Sequence, residues 1–137
     1  MEKDQNSRPP GTKRRVLVID DNQDAATTLA MLLKLTGNEA HTRFDGRAGI
    51  EAAENLRPQV IILDISMPDL DGYQTCQLIR EQPWGRDMLL IALSGYGQAE
   101  DKRRSAEAGF DAHLVKPVDL PSLNGLLASR PTGQNGG

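Results

Sequence analysis

Short apolar runs alternate with longer amphipathic stretches five times along this chain, and this alternation restricts the fold more than any other feature. The predicted strands are Val16–Ile19, a weak polar segment at 39–43, Val60–Leu63, Leu89–Leu93 and Ala112–Val115. Val60–Leu63 is apolar on both faces, as a central parallel strand should be. The alternation predicts an α/β fold, a doubly wound (βα)5 sheet of five parallel strands with helices on both faces.

Apolar residues at helical spacing follow every predicted strand except the fourth. The first helix would place Ala25, Leu29, Leu32 and Leu33 on one face. It would end at Gly37. A third helix is predicted from about Gly72 to Gln82, where Asp71 and Gln74 have the spacing of a capping box. The fourth helix, about 98–108, is almost wholly polar, so we expect it to be weakly anchored.

The 137 residues fit one domain, which we expect at 15–128. Disordered tails are expected at 1–14 and 129–137, which are rich in small and polar residues. No apolar run approaches the ~20 residues that a membrane helix needs, and no apolar signal segment occurs near Met1. The single cysteine, Cys76, suits a reducing cytoplasm, where we expect the protein. A net charge of −3 argues against direct nucleic-acid binding.

Polar and charged residues lie where the predicted strands end. Asp20 and Asp21 follow the first strand, Asp64 the third, Ser94 the fourth and Lys116 the fifth. Because the carboxyl ends of parallel strands share one edge of a sheet, three carboxylates would converge there. Like charges that close repel each other unless a cation lies between them, and oxygen-only ligands favour Mg²⁺. A phosphoryl group on Asp64 could then be held by the cation, a hydroxyl and a lysine.

Four motifs in order carry a family resemblance over about residues 14–128. They are the Asp20-Asp21 pair, LDISMPDLDG around Asp64, ALSG around Ser94 and LVKP ending at Pro117. Together they resemble the receiver domain of two-component response regulators. The resemblance implies a flavodoxin-like strand order of 2-1-3-4-5. It also implies a phosphorelay signalling switch rather than an enzyme, either as a stand-alone receiver or as part of a hybrid histidine kinase.

The resemblance assigns the phosphoryl chemistry to particular residues. Asp64 would accept a phosphoryl group from a histidine kinase or its phosphotransfer domain. Asp21, Asp64 and the Ser66 backbone carbonyl would bind Mg²⁺, or alternatively Mn²⁺, with Asp20 acting through water. Ser94 and Lys116 would hold the phosphoryl oxygens.

Further implied features concern the surroundings of the acceptor and the signalling surface. Lys116–Pro117 would be a cis peptide, and Ser66 and Tyr96 would tune the lifetime of the phosphate. A downstream protein would bind the face formed by the fourth helix, the fifth strand and the fifth helix. The receiver would be a monomer or a phosphorylation-dependent homodimer.

His113 departs from the pattern, because the family usually has Tyr or Phe three residues before the lysine. That aromatic side chain rotates when the residue equivalent to Ser94 moves. Histidine could play the switch part with a charge that titrates near neutrality, or it could be an ordinary strand-edge residue.

Other interpretations of the same residues remain open. Asp20 or Asp21 alone would be a helix N-cap, and Asp69 and Asp71 are expected to shape a loop and cap the third helix. A non-phosphorylated pseudo-receiver that acts as a protein-binding module is the alternative function. An FMN flavodoxin is disfavoured because Asp20-Asp21-Asn22 would repel bare phosphate, and a P-loop kinase is excluded because GxxxxGK[ST] does not occur.

Overall fold

The computed structural model of the protein describes residues 13–95 and 99–128, with the side chains of 99–101 left out. Its strands are Arg15–Ile19 (β1), Glu39–Arg43 (β2), Val60–Asp64 (β3), Leu89–Ser94 (β4) and Ala112–Val115 (β5). They form one parallel sheet in the order β2-β1-β3-β4-β5, which confirms the expected topology and places the polar β2 at an edge. The expected tails lie, apart from residues 13 and 14, outside the described residues.

Five α-helices connect and follow the strands. They are Gln23–Leu35 (α1), Gly46–Leu56 (α2), Gly72–Glu81 (α3), Ala99–Ala108 (α4) and Leu120–Ala128 (α5), with a short 3-10 turn at Pro83–Gly85. Residues of α1 and α5 pack in one core and residues of α2, α3 and α4 in the other, so the helices cover both faces of the sheet. None of the helices that the structure describes has the length and apolarity to cross a membrane.

Strand β3 shows why the sheet needs helices on both faces. Ile61 and Leu63 belong to the core beneath α2, α3 and α4, whereas Val60 and Ile62 belong to the core beneath α1 and α5. Successive side chains of a strand point to opposite faces, so a strand that is apolar at every position is buried only between two helical layers. Each such side chain contributes about 1.5–3 kcal/mol of burial free energy, which holds the last residue of the strand in a fixed place.

The buried face of α1 differs from the predicted one. The structure buries Ala26, Leu29, Ala30 and Leu33. Ala25 and Leu32 are only half-buried. The helix lies with its alanines against the sheet, and small side chains give a weak hydrophobic signal in the sequence. Leu29 and Leu33 of the predicted apolar face are buried, whereas Ala25 and Leu32 lie at its margin and are only half-buried.

Side-chain caps fix where the helices begin. The Asn22 side chain accepts a hydrogen bond of 3.0 Å from the Ala25 N–H and so caps α1. At α3, Asp71 accepts from the Gln74 N–H at 2.9 Å while the Gln74 side chain accepts from the Asp71 N–H at 3.0 Å, which confirms the capping box. Asp69, with φ at 60°, lies in the loop before this cap.

Candidate functional site

Asp64 is the last residue of β3 and is only 2% exposed. The sequence placed the strand end at Leu63, but Asp64 is in register with Leu93 of β4 and therefore shares the rigidity of the sheet. Its Oδ1 accepts hydrogen bonds from the Ser66 N–H at 3.0 Å and the Ser66 hydroxyl at 2.9 Å. Its Oδ2 lies 3.2 Å from the Lys116 ammonium. The carboxylate is therefore oriented through both oxygens.

A glycine at the start of α3 makes room for this arrangement. A Cβ atom on Gly72 would lie 2.4 Å from the Ile65 Cα and 2.5 Å from the Asp64 carbonyl oxygen, both backbone atoms. No side chain of any size fits there without moving the backbone. The absence of a Cβ at position 72 thus brings the loop after β3 back against the acceptor residue.

Asp20 and Asp21 follow β1 and complete an acidic cluster. Asp20 is 1% exposed. Its Oδ1 accepts from the Asn22 N–H at 3.0 Å, and its Oδ2 lies 3.1 Å from the Lys116 ammonium. Asp21 is exposed. Carboxylate oxygens of Asp20, Asp21 and Asp64 all lie within 4.8 Å of one another, so the structure brings together the three predicted acids. Neither Asp20 nor Asp21 is the N-cap of α1, because Asn22 occupies that position.

The acidic cluster has the chemistry of a site for a hard divalent cation. All three candidate ligand atoms are carboxylate oxygens, which Mg²⁺ and Mn²⁺ prefer over softer ligands. The buried pair Asp20 and Asp64 is partly neutralised by one lysine, and the exposed Asp21 adds a third negative charge at the surface end. The residues present therefore fit such an ion.

Lys116 lies directly after β5 and is held by the backbone as well as by charge. Its N–H donates to the Ser94 carbonyl at 2.8 Å, and the Lys116–Pro117 peptide bond is cis. Burial lowers the pKa of the Lys116 amine, but the hydrogen bonds and charges of Asp20 and Asp64 outweigh burial, and the pKa lies above its ordinary value. The ammonium therefore stays protonated between the two acids.

The two buried acids are shifted in opposite directions. Burial raises the pKa of the Asp20 carboxyl, and the neighbouring Asp64 raises it further, so it lies above its ordinary value despite the Asn22 N–H and Lys116. Burial also acts to raise the pKa of Asp64, but the Ser66 N–H, the Ser66 hydroxyl, Asp20 and Lys116 together bring it below its ordinary value. Asp64 is thus the more readily ionised member of the pair, as a nucleophile should be.

Ser94 is the last residue of β4 and is 4% exposed. Its hydroxyl lies 2.7 Å from the Nε2 of His113, a half-buried residue of β5. The Nδ1 of the same ring lies 3.2 Å from the hydroxyl of Ser105 on α4. His113 therefore contacts buried hydroxyls through both ring nitrogens.

Ser105 was missed by sequence reasoning. It is 2% exposed, and it lies three residues before Ala108, the other buried residue among the α4 side chains that the structure describes. This spacing puts the two residues on one face of the helix. The sequence signal for this buried face was weak, because a serine and an alanine do not form an apolar stripe.

The remaining predicted site residues are placed less fully. Ser66 holds Asp64 through its N–H and hydroxyl, whereas a metal contact of its carbonyl stays a prediction. Tyr96 lies outside the described residues.

The chain matches the family model described as the response regulator receiver domain over residues 16–128. The transcriptional regulatory protein PrrA of Mycobacterium tuberculosis is 38% identical over 112 residues, which cover 82% of this chain and 47% of PrrA. Protein PilG of Pseudomonas aeruginosa is 35% identical over 113 residues, which cover 82% of this chain and 84% of PilG. The chain thus spans about half the length of PrrA but most of PilG.

Solved structures give the same assignment. The chemotaxis protein CheY4 of Vibrio cholerae superposes with a TM-score of 0.81 at 27% identity, over 85% of this chain and 98% of CheY4. The receiver domain of the sensor histidine kinase PA1611 from Pseudomonas aeruginosa has a TM-score of 0.78 at 29% identity, over 85% of this chain and 96% of that domain. That structure is described with a magnesium ion coordinated in its active-site cleft. With the family match over most of its length, the chain belongs to the response regulator receiver domain family.

Proposed function

We propose that this receiver domain is a phosphorylation-dependent switch of a two-component phosphorelay, with Asp64 as the phosphoryl acceptor. The observation that carries the proposal is the placement of the buried Asp64 carboxylate at the end of β3, where Ser66 donates to one oxygen and the Lys116 ammonium lies beside the other. The donor would be the phosphohistidine of a histidine kinase or of its phosphotransfer domain.

The transfer exchanges one bond to phosphorus for another. A carboxylate oxygen of Asp64 forms a bond to phosphorus as the bond from phosphorus to the donor imidazole nitrogen breaks, and the imidazole leaves with that electron pair. Two hydrogen bonds from Ser66 to Oδ1 fix the plane of the carboxylate, so the nucleophile needs little reorientation.

Charge on the transferring group would be balanced by residues already in place. Lys116 now lies between Asp20 and Asp64, and its ammonium can pair with a phosphoryl oxygen by a small movement of a flexible side chain. The Ser94 hydroxyl, at the end of the neighbouring strand, would donate to another phosphoryl oxygen. Asp20, Asp21, Asp64 and the Ser66 carbonyl would hold Mg²⁺, which neutralises negative charge on a phosphoryl group.

A cleft beside the site gives a donor protein access. It has a volume of about 610 Å³ and lies between α1 and the segment after β5, with Asp20, Asn22, Leu29, Lys116 and Pro117 among its lining residues. Its lining combines apolar side chains such as Leu93 and Val118 with two charged groups of the site, Asp20 and Lys116. We infer that the phosphohistidine-bearing segment approaches through this cleft.

The output of the switch is a change in protein contacts. Phosphate on Asp64 would shift the population of conformations of the face formed by α4, β5 and α5, which a downstream protein or a second receiver would bind. The absence of direct nucleic-acid contact stays a prediction. One relative is named the DNA-binding dual master transcriptional regulator RpaA of Synechocystis, and this chain spans 45% of its length.

The proposal is tested by labelling with a small phosphodonor. Wild type, Asp64→Asn and, as a control for loss of an exposed acid, Asp24→Asn are incubated with acetyl phosphate, with Mg²⁺ or with EDTA, and their intact masses are measured. We expect one phosphoryl group on wild type and Asp24→Asn with Mg²⁺, and none on Asp64→Asn or with EDTA. No labelling of folded wild type would favour the non-phosphorylated pseudo-receiver instead.

A further inference from the structure

The imidazole of His113 bridges two hydroxyl groups that belong to different elements. Its Nε2 lies 2.7 Å from the Ser94 hydroxyl at the end of β4, and its Nδ1 lies 3.2 Å from the Ser105 hydroxyl on α4. Both serines are at least 96% buried, at 4% and 2% exposure. The ring thus connects Ser94, at the acceptor site, with Ser105 of α4. This helix covers the same face of the sheet as α3.

The chemistry of imidazole gives this bridge a direction. A neutral ring carries one N–H, so one nitrogen donates and the other accepts. In one direction the Ser94 O–H donates to Nε2, and Nδ1–H donates to Ser105. In the other, Nε2–H donates to Ser94, and the Ser105 O–H donates to Nδ1. Each direction keeps the same number of protons, and the two differ in which ring nitrogen holds the proton.

We propose that phosphorylation of Asp64 reverses this bridge, so that His113 and Ser105 act as positioning residues that carry the phosphorylation state to α4. The inference rests on the proposed function, because it needs a phosphoryl oxygen that accepts the Ser94 O–H. Once that hydroxyl donates to the phosphoryl group, Nε2 can only donate to Ser94. The ring proton then lies on Nε2, and Nδ1 must accept from Ser105.

The reversal changes how α4 is held. A serine hydroxyl within a helix commonly donates to a carbonyl of the preceding turn, which leaves its oxygen to accept from Nδ1–H in the unphosphorylated state. After the reversal the Ser105 O–H turns from the helix to Nδ1. Ser105 and Ala108 are the buried side chains among those described for α4, so a change at Ser105 affects a large part of its attachment. The ring does not need to rotate.

A second contact of α4 is independent of the bridge. The Arg104 guanidinium lies 4.2 Å from the centroid of the Tyr73 ring of α3. This cation–π contact ties the helix to α3, involves neither His113 nor the Ser105 hydroxyl, and would remain as the bridge reverses. We therefore expect α4 to adjust about this contact instead of leaving the protein surface.

The tautomer of His113 tests the proposal directly. Full-chain protein with ¹⁵N-labelled histidine is studied by NMR with Mg²⁺, with and without beryllofluoride as the phosphoryl mimic. We expect the mimic to move the His113 proton from Nδ1 to Nε2. The chain has one other histidine, His41, whose Nε2 lies 2.7 Å from Glu39 on the edge strand β2, and its ring signals should not change.

Variants separate a switching role from a structural one. Ser105→Ala should lose most of the amide shift response of residues 102–108 to the mimic, while Ile65 and Ser66 respond as in wild type. Thr75→Val is the matched control: it removes a buried hydroxyl that donates to the Asp71 carbonyl at 2.8 Å, away from His113. Its α4 response and its His113 tautomer should follow wild type.

The outcomes distinguish the two proposals. If the mimic leaves the amide signals of Ile65 and Ser66 unchanged in wild type, the proposed function fails and this inference fails with it. If those signals shift but the His113 proton stays on the same nitrogen, only the inference is overturned. A full α4 response in Ser105→Ala would also overturn it. Should that variant not fold, the wild-type tautomer measurement still decides.

Discussion

Lys116 and Asp64 are 52 residues apart in the sequence, yet the lysine ammonium lies 3.2 Å from the Asp64 Oδ2. The same ammonium lies 3.1 Å from the Asp20 Oδ2. One cation thus compensates two buried carboxylates in the protein without metal. Phosphorylation would change the partners of this lysine, because the ammonium that now pairs with Asp20 and Asp64 can also pair with the phosphoryl group.

Replacing Lys116 with Met should destabilise the metal-free protein. Two buried carboxylates would lose their cation, which we expect to cost about 2 kcal/mol at neutral pH, less than for a fully buried pair because the lysine side chain is 32% exposed. Mg²⁺ should restore part of the loss. Urea unfolding with and without Mg²⁺ measures both effects, and Lys102→Met, an exposed lysine of α4, should change stability by less than ~0.5 kcal/mol. Equal losses in the two variants would contradict this view of Lys116.

Asp20→Asn and Asp64→Asn should affect metal-free stability differently. Because the pKa of Asp20 is raised in the folded state, that carboxyl lowers stability as pH rises above its ordinary 3.8. Asp20→Asn should therefore raise the melting temperature by a few degrees at pH 7, and the gain should vanish below pH 3.8. Asp64, whose pKa is lowered, contributes stability above 3.8 that is lost as pH falls through its folded value, so Asp64→Asn should give no gain. Melting curves in EDTA across pH decide, and a gain in both variants would show that the two acids are equivalent.

Arg80 should contribute to stability without affecting phosphorylation. Its guanidinium donates to the Gly109 and Met88 carbonyls, both at 2.8 Å, and pairs with Asp111 at 2.8 Å. These contacts lie at the amino ends of β4 and β5, opposite the acceptor site. Arg80→Lys cannot reproduce this set of donors and should cost about 2 kcal/mol.

Chemical denaturation and labelling by acetyl phosphate test the two halves of this prediction. Arg47→Lys, at an exposed position of α2, is the control and should leave stability within ~0.5 kcal/mol of wild type. Loss of labelling in folded Arg80→Lys protein would show that the two ends of the sheet are coupled.

Two glycines should respond to alanine in opposite directions. Gly72→Ala would place a Cβ 2.4 Å from the Ile65 Cα, and we expect a loss of about 2–3 kcal/mol with weaker Mg²⁺ binding, since the backbone beside Asp64 must move. Gly125 lies in α5 with open space around its Cβ position, and Gly125→Ala should gain about 0.5–1 kcal/mol. Thermal unfolding and metal titration of both variants test this, and a neutral Gly72→Ala would mean that the loop is free to yield.

The strands and the acidic cluster could be predicted because their signals are local and strong. The run before Asp64 is apolar at every position, and such a strand must be covered by helices on both faces. Asp20 follows such a strand and Asp64 ends one, so their meeting at one edge needed only a parallel sheet. The order of the strands did not follow from alternation, which fits several orders, and was supplied by the family resemblance.

The bridge through His113 could not be predicted, because it depends on how a helix lies over a strand. Ser105 and His113 are eight residues apart across a turn, and their contact requires the rotation of α4 about its axis. The polar sequence of α4 gives little information on that rotation. The burial of Ala26 and Ala30 in α1 was not predicted for the same reason, because small alanines give a weak signal of which face meets the sheet.

Asp64, and no other carboxylate of the cluster, should carry the phosphoryl group. Borohydride reduction of protein labelled with acetyl phosphate and Mg²⁺ converts an aspartyl phosphate to homoserine, which peptide mass spectrometry locates. We predict homoserine at position 64 alone, with Asp20 and Asp21 unmodified. Homoserine at position 20 or 21 in wild type, or an unmodified position 64 in a labelled chain, would contradict the assignment of Asp64 as the acceptor.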